Sequence, residues 1–130
     1  MEALIRKYMK KLSIDQIITL HKEIITRDGG DDRIISEANL HQLVFRVNLE
    51  ENPLNKAALS LYSLVAYPAF REGNACIATT VAAGILQECG YSLDPYCSEA
   101  LMQLAEGINS FEIDLPETES WFASHARKIP

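Results

Sequence analysis

The chain has 130 residues, of which 48% are hydrophobic, and its 18 acidic and 12 basic residues give a formal net charge of −6. This length predicts a single domain over residues 1–130 that can bury a core without cross-links. The acidic balance argues against direct binding of DNA or RNA, which depends on cationic side chains that neutralise phosphates.

The cysteines and the N-terminus bear on the compartment. Three cysteines are present, none in a C-x-x-C pair, and with the three histidines they match no zinc-binding spacing. The N-terminus lacks the apolar segment of a secretory signal. The uncharged stretch at residues 75–87 is too short for a membrane span and too rich in small residues. We therefore expect a reduced, cytoplasmic protein with no membrane association.

The first half of the chain predicts three helices. Ser13 caps the first, with Gln16 at capping-box spacing, and apolar residues then recur along one face together with His21, which we expect to be a core or half-buried histidine. Paired glycines at 29 and 30 end this helix, and at most a short hairpin or extended segment follows. Ser36 caps a second helix over residues 37–47. Asn52 and Pro53 open a third, which ends before Pro68.

The central helix is predicted from about Asn74 to Glu88, closed by Gly90. Its side chains are apolar or small on every face, which is typical of a buried helix. The polar loop that precedes it, residues 71–74, carries a glycine at the helix N-terminus. Unpaired amides and the helix dipole make such an N-terminus suitable for binding anions.

The remaining chain predicts two further helices. Asp94 and Pro95 begin a fifth helix, and Pro116 begins a last one that carries Trp121 and Phe122. Between them, residues 110–115 alternate apolar with acidic side chains, so we predict an extended segment there. The predicted fold is all-α, a compact bundle of about six helices around a buried central helix.

Residues 70–74 read Phe-Arg-Glu-Gly-Asn and fit, without a gap, the middle of the motif His-x-Phe-x-Asp/Glu-Gly/Ala-Asn-Lys/Gly-Arg. The first helix with its glycine turn lies before these residues. The small residues that lead to Gly90 and Tyr91 lie after them, so the order of elements around the motif matches as well. On these residues the chain resembles the Fic/Doc family, in particular the short death-on-curing (Doc) toxins. The resemblance covers residues 12–121 and implies a Fic/Doc-like fold.

The resemblance implies transfer of a phosphoryl or nucleotidyl (AMP) group from ATP to a protein hydroxyl. In that scheme a histidine is the general base, Glu72 holds Mg²⁺, and Gly73 and Asn74 present backbone amides to phosphate. Positioning and charge stabilisation dominate such chemistry. Without the resemblance, Glu72, Gly73 and Asn74 would be interpreted as an ordinary N-cap turn with an acid near the helix start.

Three positions depart from the motif. Pro68 stands where the histidine belongs, four residues before Glu72, and the basic pair is replaced by Ala75 and Cys76. Loss of a general base removes about 10²–10⁴ in rate, and loss of each charge-stabilising donor removes on the order of 10²–10³. Cys76 is chemically capable of acting as a nucleophile, but a cysteine on an apolar helix is more often a small buried hydrophobe. We therefore expect no catalytic residue in this loop.

The favoured interpretation is a Doc-like toxin–antitoxin protein, catalytically inactive or impaired, that acts by binding an antitoxin-like peptide or the family's protein target. The alternative is an active Mg²⁺-dependent transferase with relocated residues. A third, a structural or dimerising module, predicts a large apolar surface patch and no cleft above Gly73. Because an antitoxin segment folds onto Doc-like toxins near the active cleft, an exposed apolar groove would support the first.

Overall fold

The computed structural model describes residues 11–94 and 98–130, which form six helices and one small sheet. The helices are α1 (Ile14–Asp28), α2 (Glu37–Leu49), α3 (Pro53–Ala66), α4 (Asn74–Glu88), α5 (Ser98–Asn109) and α6 (Leu115–His125). The strands are β1 (Tyr91–Leu93) and β2 (Ala126–Lys128). The mostly helical architecture confirms the predicted all-α bundle.

Side-chain caps start the first three helices where the sequence predicts them. Ser13 accepts a hydrogen bond from the backbone of Gln16, whose side chain accepts in return from the Ser13 amide, and this is a complete capping box. The Ser36 side chain caps α2 by accepting a hydrogen bond from the amide of Asn39. Asn52 caps α3, with Pro53 in the first turn. Local chemistry therefore fixes these three starts.

Helix α4 lies at the centre of the bundle and packs against α1, α3 and α5. Six of its side chains are buried: Ile77, Ala78, Val81, Ala82, Ile85 and Leu86. Its opposite side is less buried than the sequence predicts, because Thr80, Ala83 and Gln87 are exposed at helical spacing. The small side chains on this helix allow its neighbours to approach closely. Where they face solvent, exposing so little apolar surface to water has a small free-energy cost.

One contiguous core unites the helices. Four side chains at helical spacing on α5 are buried in this core: Leu101, Leu104, Ala105 and Ile108. Phe122 of α6 is completely buried, while Trp121 is half-buried and meets it edge to face at 5.1 Å. Within residues 11–94 and 98–130, no helix is long and apolar enough to cross a membrane.

The end of the chain differs from the prediction in two places. Residues 110–115 are not extended: a turn follows α5, in which Phe111 has a φ of 63° and the amides of Glu112 and Ile113 both donate to the carbonyl of Gly107. The sequence alternation there imitates a strand, but Phe111 is exposed to solvent. The antiparallel pairing of β1 with β2, Tyr91 opposite Lys128, was not predicted. The predicted start of the fifth helix at Pro95 lies outside the described residues.

Candidate functional site

The loop that precedes α4, residues 68–74, is called the motif loop below. It is held by backbone pairing with residues 33–36. Ile34 and Phe70 form an isolated antiparallel bridge. The carbonyl of Ala69 accepts hydrogen bonds from the amides of Ile35 and Ser36, at 2.7 and 3.1 Å. The short apolar pair at 34–35 is therefore the extended segment predicted after Gly29, and its partner is the motif loop.

Asn74, the first residue of α4, uses its side chain to close the motif loop. Its Oδ1 accepts a hydrogen bond from the amide of Phe70 at 3.2 Å, and its Nδ2 donates to the carbonyl of Phe70 at 2.7 Å. Both polar groups of the amide side chain are thus engaged by one residue of the loop. Asn74 therefore fixes the turn that leads into the helix.

Gly73 adopts the left-handed conformation that the turn requires, with φ 78° and ψ 16°. A Cβ at this position would lie 3.2 Å from Cδ1 of Ile25 and 3.3 Å from Nε2 of His21. Helix α1 therefore packs directly over the glycine. No side chain caps the N-terminus of α4, so its first amides are not covered by a capping group.

His21 of α1 is fully buried against the motif loop, which confirms the expectation of a core histidine. Its ring stacks on Phe70, with 3.6 Å between the centroids and 11° between the planes. Its Nε2 lies 2.7 Å from the carbonyl oxygen of Glu72. A carbonyl oxygen only accepts hydrogen bonds, so Nε2 is the donor. The His21 side chain thus contacts the loop at two residues, Phe70 and Glu72.

The carboxylate of Glu72 caps the turn that follows α1. Its Oε2 accepts a hydrogen bond from the amide of Asp31 at 2.6 Å. Gly30 leaves room for this contact, because a Cβ there would lie 2.5 Å from the same oxygen. The side chain of Glu72 therefore links the motif loop to the glycine turn. The backbone carbonyl of the same residue links the loop to α1, because it accepts from the His21 side chain.

Charged side chains surround this junction. Asp31 pairs with Arg33 at 2.6 Å and with Arg71 at 3.5 Å. The hydrogen bonds from Arg33, with a smaller contribution from Arg71, lower the pKa of Asp31 from 3.8 to about 2. The guanidinium of Arg71 is therefore engaged in an ion pair with Asp31 of the glycine turn.

A cleft of about 320 Å³ opens between the motif loop and α5. Its lining includes Pro68, Phe70, Arg71, Asn74 and Ala75. Tyr67 is not part of this lining and lines a different pocket. Two of the three positions that depart from the family motif, Pro68 and Ala75, therefore lie in this cleft, and neither offers an ionisable group.

Two predicted site residues do not line the cleft. They are Glu72, which faces the glycine turn, and Gly73, which faces α1. Helix α5 instead contributes Glu106 and Asn109 to the lining. Sequence reasoning missed this pair, because nothing local marks two surface residues of a helix as neighbours of a loop about 35 residues earlier.

Cys76, the third departing position, points to α1 and not into the cleft. Its Sγ lies 3.8 Å from Nη2 of Arg27, which also forms an ion pair with Asp28 at 2.8 Å. This pairing lowers the pKa of Asp28. A cation therefore approaches the position where the family motif carries a basic residue, although it comes from another helix.

Metal binding at Glu72 finds limited support in the geometry. Within residues 11–94 and 98–130 no cluster of three histidine, cysteine or acidic side chains is placed to hold a metal ion. The acid whose amide contacts Glu72, Asp31, has its carboxylate paired with Arg33. Mg²⁺ prefers several oxygen ligands in octahedral geometry, with phosphates often completing the set. The described residues offer it one carboxylate, which already accepts a hydrogen bond.

A cavity of about 640 Å³ forms a groove between the start of α1 and α2. Its apolar side chains are Leu12, Ile14, Ile18, Ile34, Leu40 and Val44. Charged residues at its edges include Lys11, Asp15 and Glu37. Ile34 connects this groove to the motif loop through its bridge with Phe70.

The chain was also compared with known proteins. No model of a known protein family matches it, and no curated protein sequence matches it at a significant level.

Proposed function

We propose that this chain is a Doc-like Fic-domain protein of the toxin–antitoxin type that has lost transferase activity and acts by binding another protein. One observation carries the proposal: the polar residues that remain of the motif hold the loop together. Asn74 engages the backbone of Phe70, and Glu72 accepts from the amide of Asp31.

The composition of the cleft supports the loss of chemistry. Pro68 lines it at the position of the general base, and proline has no group that accepts a proton. Ala75 adds a methyl group where the motif has a residue that can carry charge. Arg71 is the cation in the lining, and it is paired with Asp31. A phosphoryl group in this cleft would meet little of the charge stabilisation that its transfer requires.

The groove between α1 and α2 supports the binding role. Six apolar side chains line about 640 Å³ of space, and acidic and basic residues lie along its edge. Amphipathic segments dock in grooves of this kind by their apolar face. We propose an antitoxin-like peptide or a target protein as the occupant. The free thiols at Cys76 and Cys89 are consistent with a cytoplasmic location.

Label transfer from ATP tests the proposal. The protein is incubated with Mg²⁺, a cell lysate, and ATP labelled at either the α or the γ phosphate. Glu72→Gln is the matched control, because the amide oxygen still accepts from Asp31 while the charge that would hold Mg²⁺ is removed. We expect no label above background with either protein. Transfer that depends on Glu72 would overturn the proposal.

An active transferase with relocated residues is the second candidate. The contact of Arg27 with Cys76 favours it, because it places a guanidinium beside the position that the family motif makes basic. This candidate predicts heat on titration of ATP·Mg²⁺ into the wild-type protein and a weaker signal with Arg27→Gln. No heat from folded wild-type protein would contradict it.

A further inference from the structure

Phe111 is the most exposed large apolar side chain of the described residues, with 91% of its surface open to solvent. It follows α5 with a φ of 63°, in the left-handed region. Glycine is the usual residue at such a helix end, because a side chain makes that conformation unfavourable. None of the ring contacts within residues 11–94 and 98–130 involves Phe111. The ring therefore occupies an unfavourable position without contributing to the packed core.

The ring lines a pocket of about 380 Å³ that shares no lining residue with the cleft between the motif loop and α5. Tyr62, Ile108 and Ile113 give the pocket apolar surface, and Tyr67, which is 54% exposed, stands at its edge. Two exposed aromatic rings beside an apolar recess form a surface that can take up a side chain of a partner.

Three carboxylates line the same pocket: Glu112, Asp114 and Glu117. No lysine, arginine or histidine is part of the lining. None of the ion pairs within the described residues involves these acids. Asp114 and Glu117 are held in place by a capping box, in which each side chain accepts from the backbone of the other. The negative charge is therefore fixed in position before any partner arrives.

We propose that this surface, formed by Tyr67, Phe111 and the three acids, binds a basic peptide segment of a protein partner. An apolar side chain of the segment enters the recess, and its arginine or lysine side chains pair with the carboxylates and stack on the exposed rings. The charge of the lining selects this occupant. A second copy of the chain in a two-fold arrangement would bring the same acids face to face, and an anionic lipid surface would be repelled.

The binding site is independent of the proposed loss of transferase activity, since it shares no lining residue with the motif cleft. Fluorescence anisotropy tests it with a labelled nonapeptide that alternates arginine and leucine. A peptide with glutamate in place of arginine is the control ligand. We expect the arginine peptide to bind, the glutamate peptide not to bind, and the affinity to fall as salt is raised.

Phe111→Gly is the decisive variant, because glycine suits the backbone there. We expect its affinity for the arginine peptide to fall by about tenfold or more, while the denaturant midpoint stays unchanged or rises. Glu112→Lys lies outside the capping box, and it should also weaken binding. Phe45→Ala is the matched control, since Phe45 is an exposed phenylalanine (67%) on α2 and should leave binding unchanged.

The opposite results overturn the inference. They are equal binding of both peptides, no binding of the arginine peptide by folded wild-type protein, or full affinity in Phe111→Gly. Sedimentation adds one more outcome: a wild-type dimer that Phe111→Gly converts to a monomer would assign this surface to a second copy of the chain, and not to a basic peptide.

Discussion

The imidazole of His21 lies flat on the ring of Phe70, and the two centroids are 3.6 Å apart. The same imidazole donates from Nε2 to the carbonyl of Glu72 at 2.7 Å. One buried side chain of α1 thus contacts the motif loop on both sides of Arg71. The position of the loop is consequently set by the core of the protein as well as by its own turn chemistry.

Phenylalanine at position 21 separates these two contacts. His21→Phe keeps a stacked ring but removes the donor to Glu72, and we expect it to lower the free energy of unfolding by about 1–3 kcal/mol. His21→Ala removes the ring as well and should cost about 3–5 kcal/mol. His41→Ala, at an exposed position of α2, should stay within about 0.5 kcal/mol of wild type. Denaturant unfolding measures all three; equal stability of His21→Phe and wild type would show that the hydrogen bond contributes nothing.

The side chain of Asn74 is predicted to act on stability. Asn74→Ala removes both hydrogen bonds to Phe70 and should cost about 1–3 kcal/mol. The amide hydrogen of Phe70 should also exchange faster, because its acceptor is lost. Asn109→Ala is the control, since Asn109 is an exposed residue of the same cleft and its change should alter stability by less than about 0.5 kcal/mol. Unchanged exchange at Phe70 would contradict the assigned role.

Gly30 and Glu72 are predicted to be coupled. Gly30→Ala places a methyl group against the Glu72 carboxylate and forces it from the Asp31 amide. In a double-mutant cycle, Gly30→Ala should therefore cost less in a Glu72→Ala background, with a coupling of about 0.5–1.5 kcal/mol. Gly29→Ala is the control: its φ is also positive, but a Cβ there meets open space, so its cost should not depend on residue 72. Additive costs for Gly30→Ala and Glu72→Ala would disprove the contact.

The ion pairs of Asp31 predict its titration. Its pKa in the folded protein is lowered to about 2, chiefly by hydrogen bonds from Arg33. Because the folded pKa lies below the unfolded value, these pairs add stability above the ordinary pKa of 3.8, and that contribution is lost as the pH falls through about 2. Carbon NMR of the carboxyl group measures it. Arg33→Gln should raise this pKa more than Arg71→Gln does; the reverse order would be inconsistent with the geometry.

The sequence predicts the helices well because their signals are local. Ser13, Ser36 and Asn52 each accept hydrogen bonds from the turn that follows them, and such caps lie within three residues of what they cap. The buried face of α5 follows from spacing alone. The start of α4 after Gly73 is likewise a local property of a left-handed glycine.

The site could be predicted only in part, because its contacts are distant in sequence. Glu72 and Asp31 are 41 residues apart, and His21 and Glu72 are 51 apart. Periodic patterns in a sequence indicate local structure and do not predict contacts between residues so far apart. The motif therefore identifies which residues form the loop, but not that their side chains are engaged by its neighbours. The prediction of an extended segment at residues 110–115 was wrong although its signal is local. The alternation around Phe111 resembles a strand, whereas hydrogen bonds to Gly107 form a turn.

We propose that the motif residues hold a loop and do not transfer a nucleotide's phosphate. The most direct measurement compares label transfer from ATP by wild type, by Glu72→Gln, and by a variant with the family residues restored (Pro68→His, Ala75→Lys, Cys76→Arg). We predict that wild type and Glu72→Gln give the same background and that any signal is confined to the restored variant. Transfer by wild type that disappears in Glu72→Gln would contradict it.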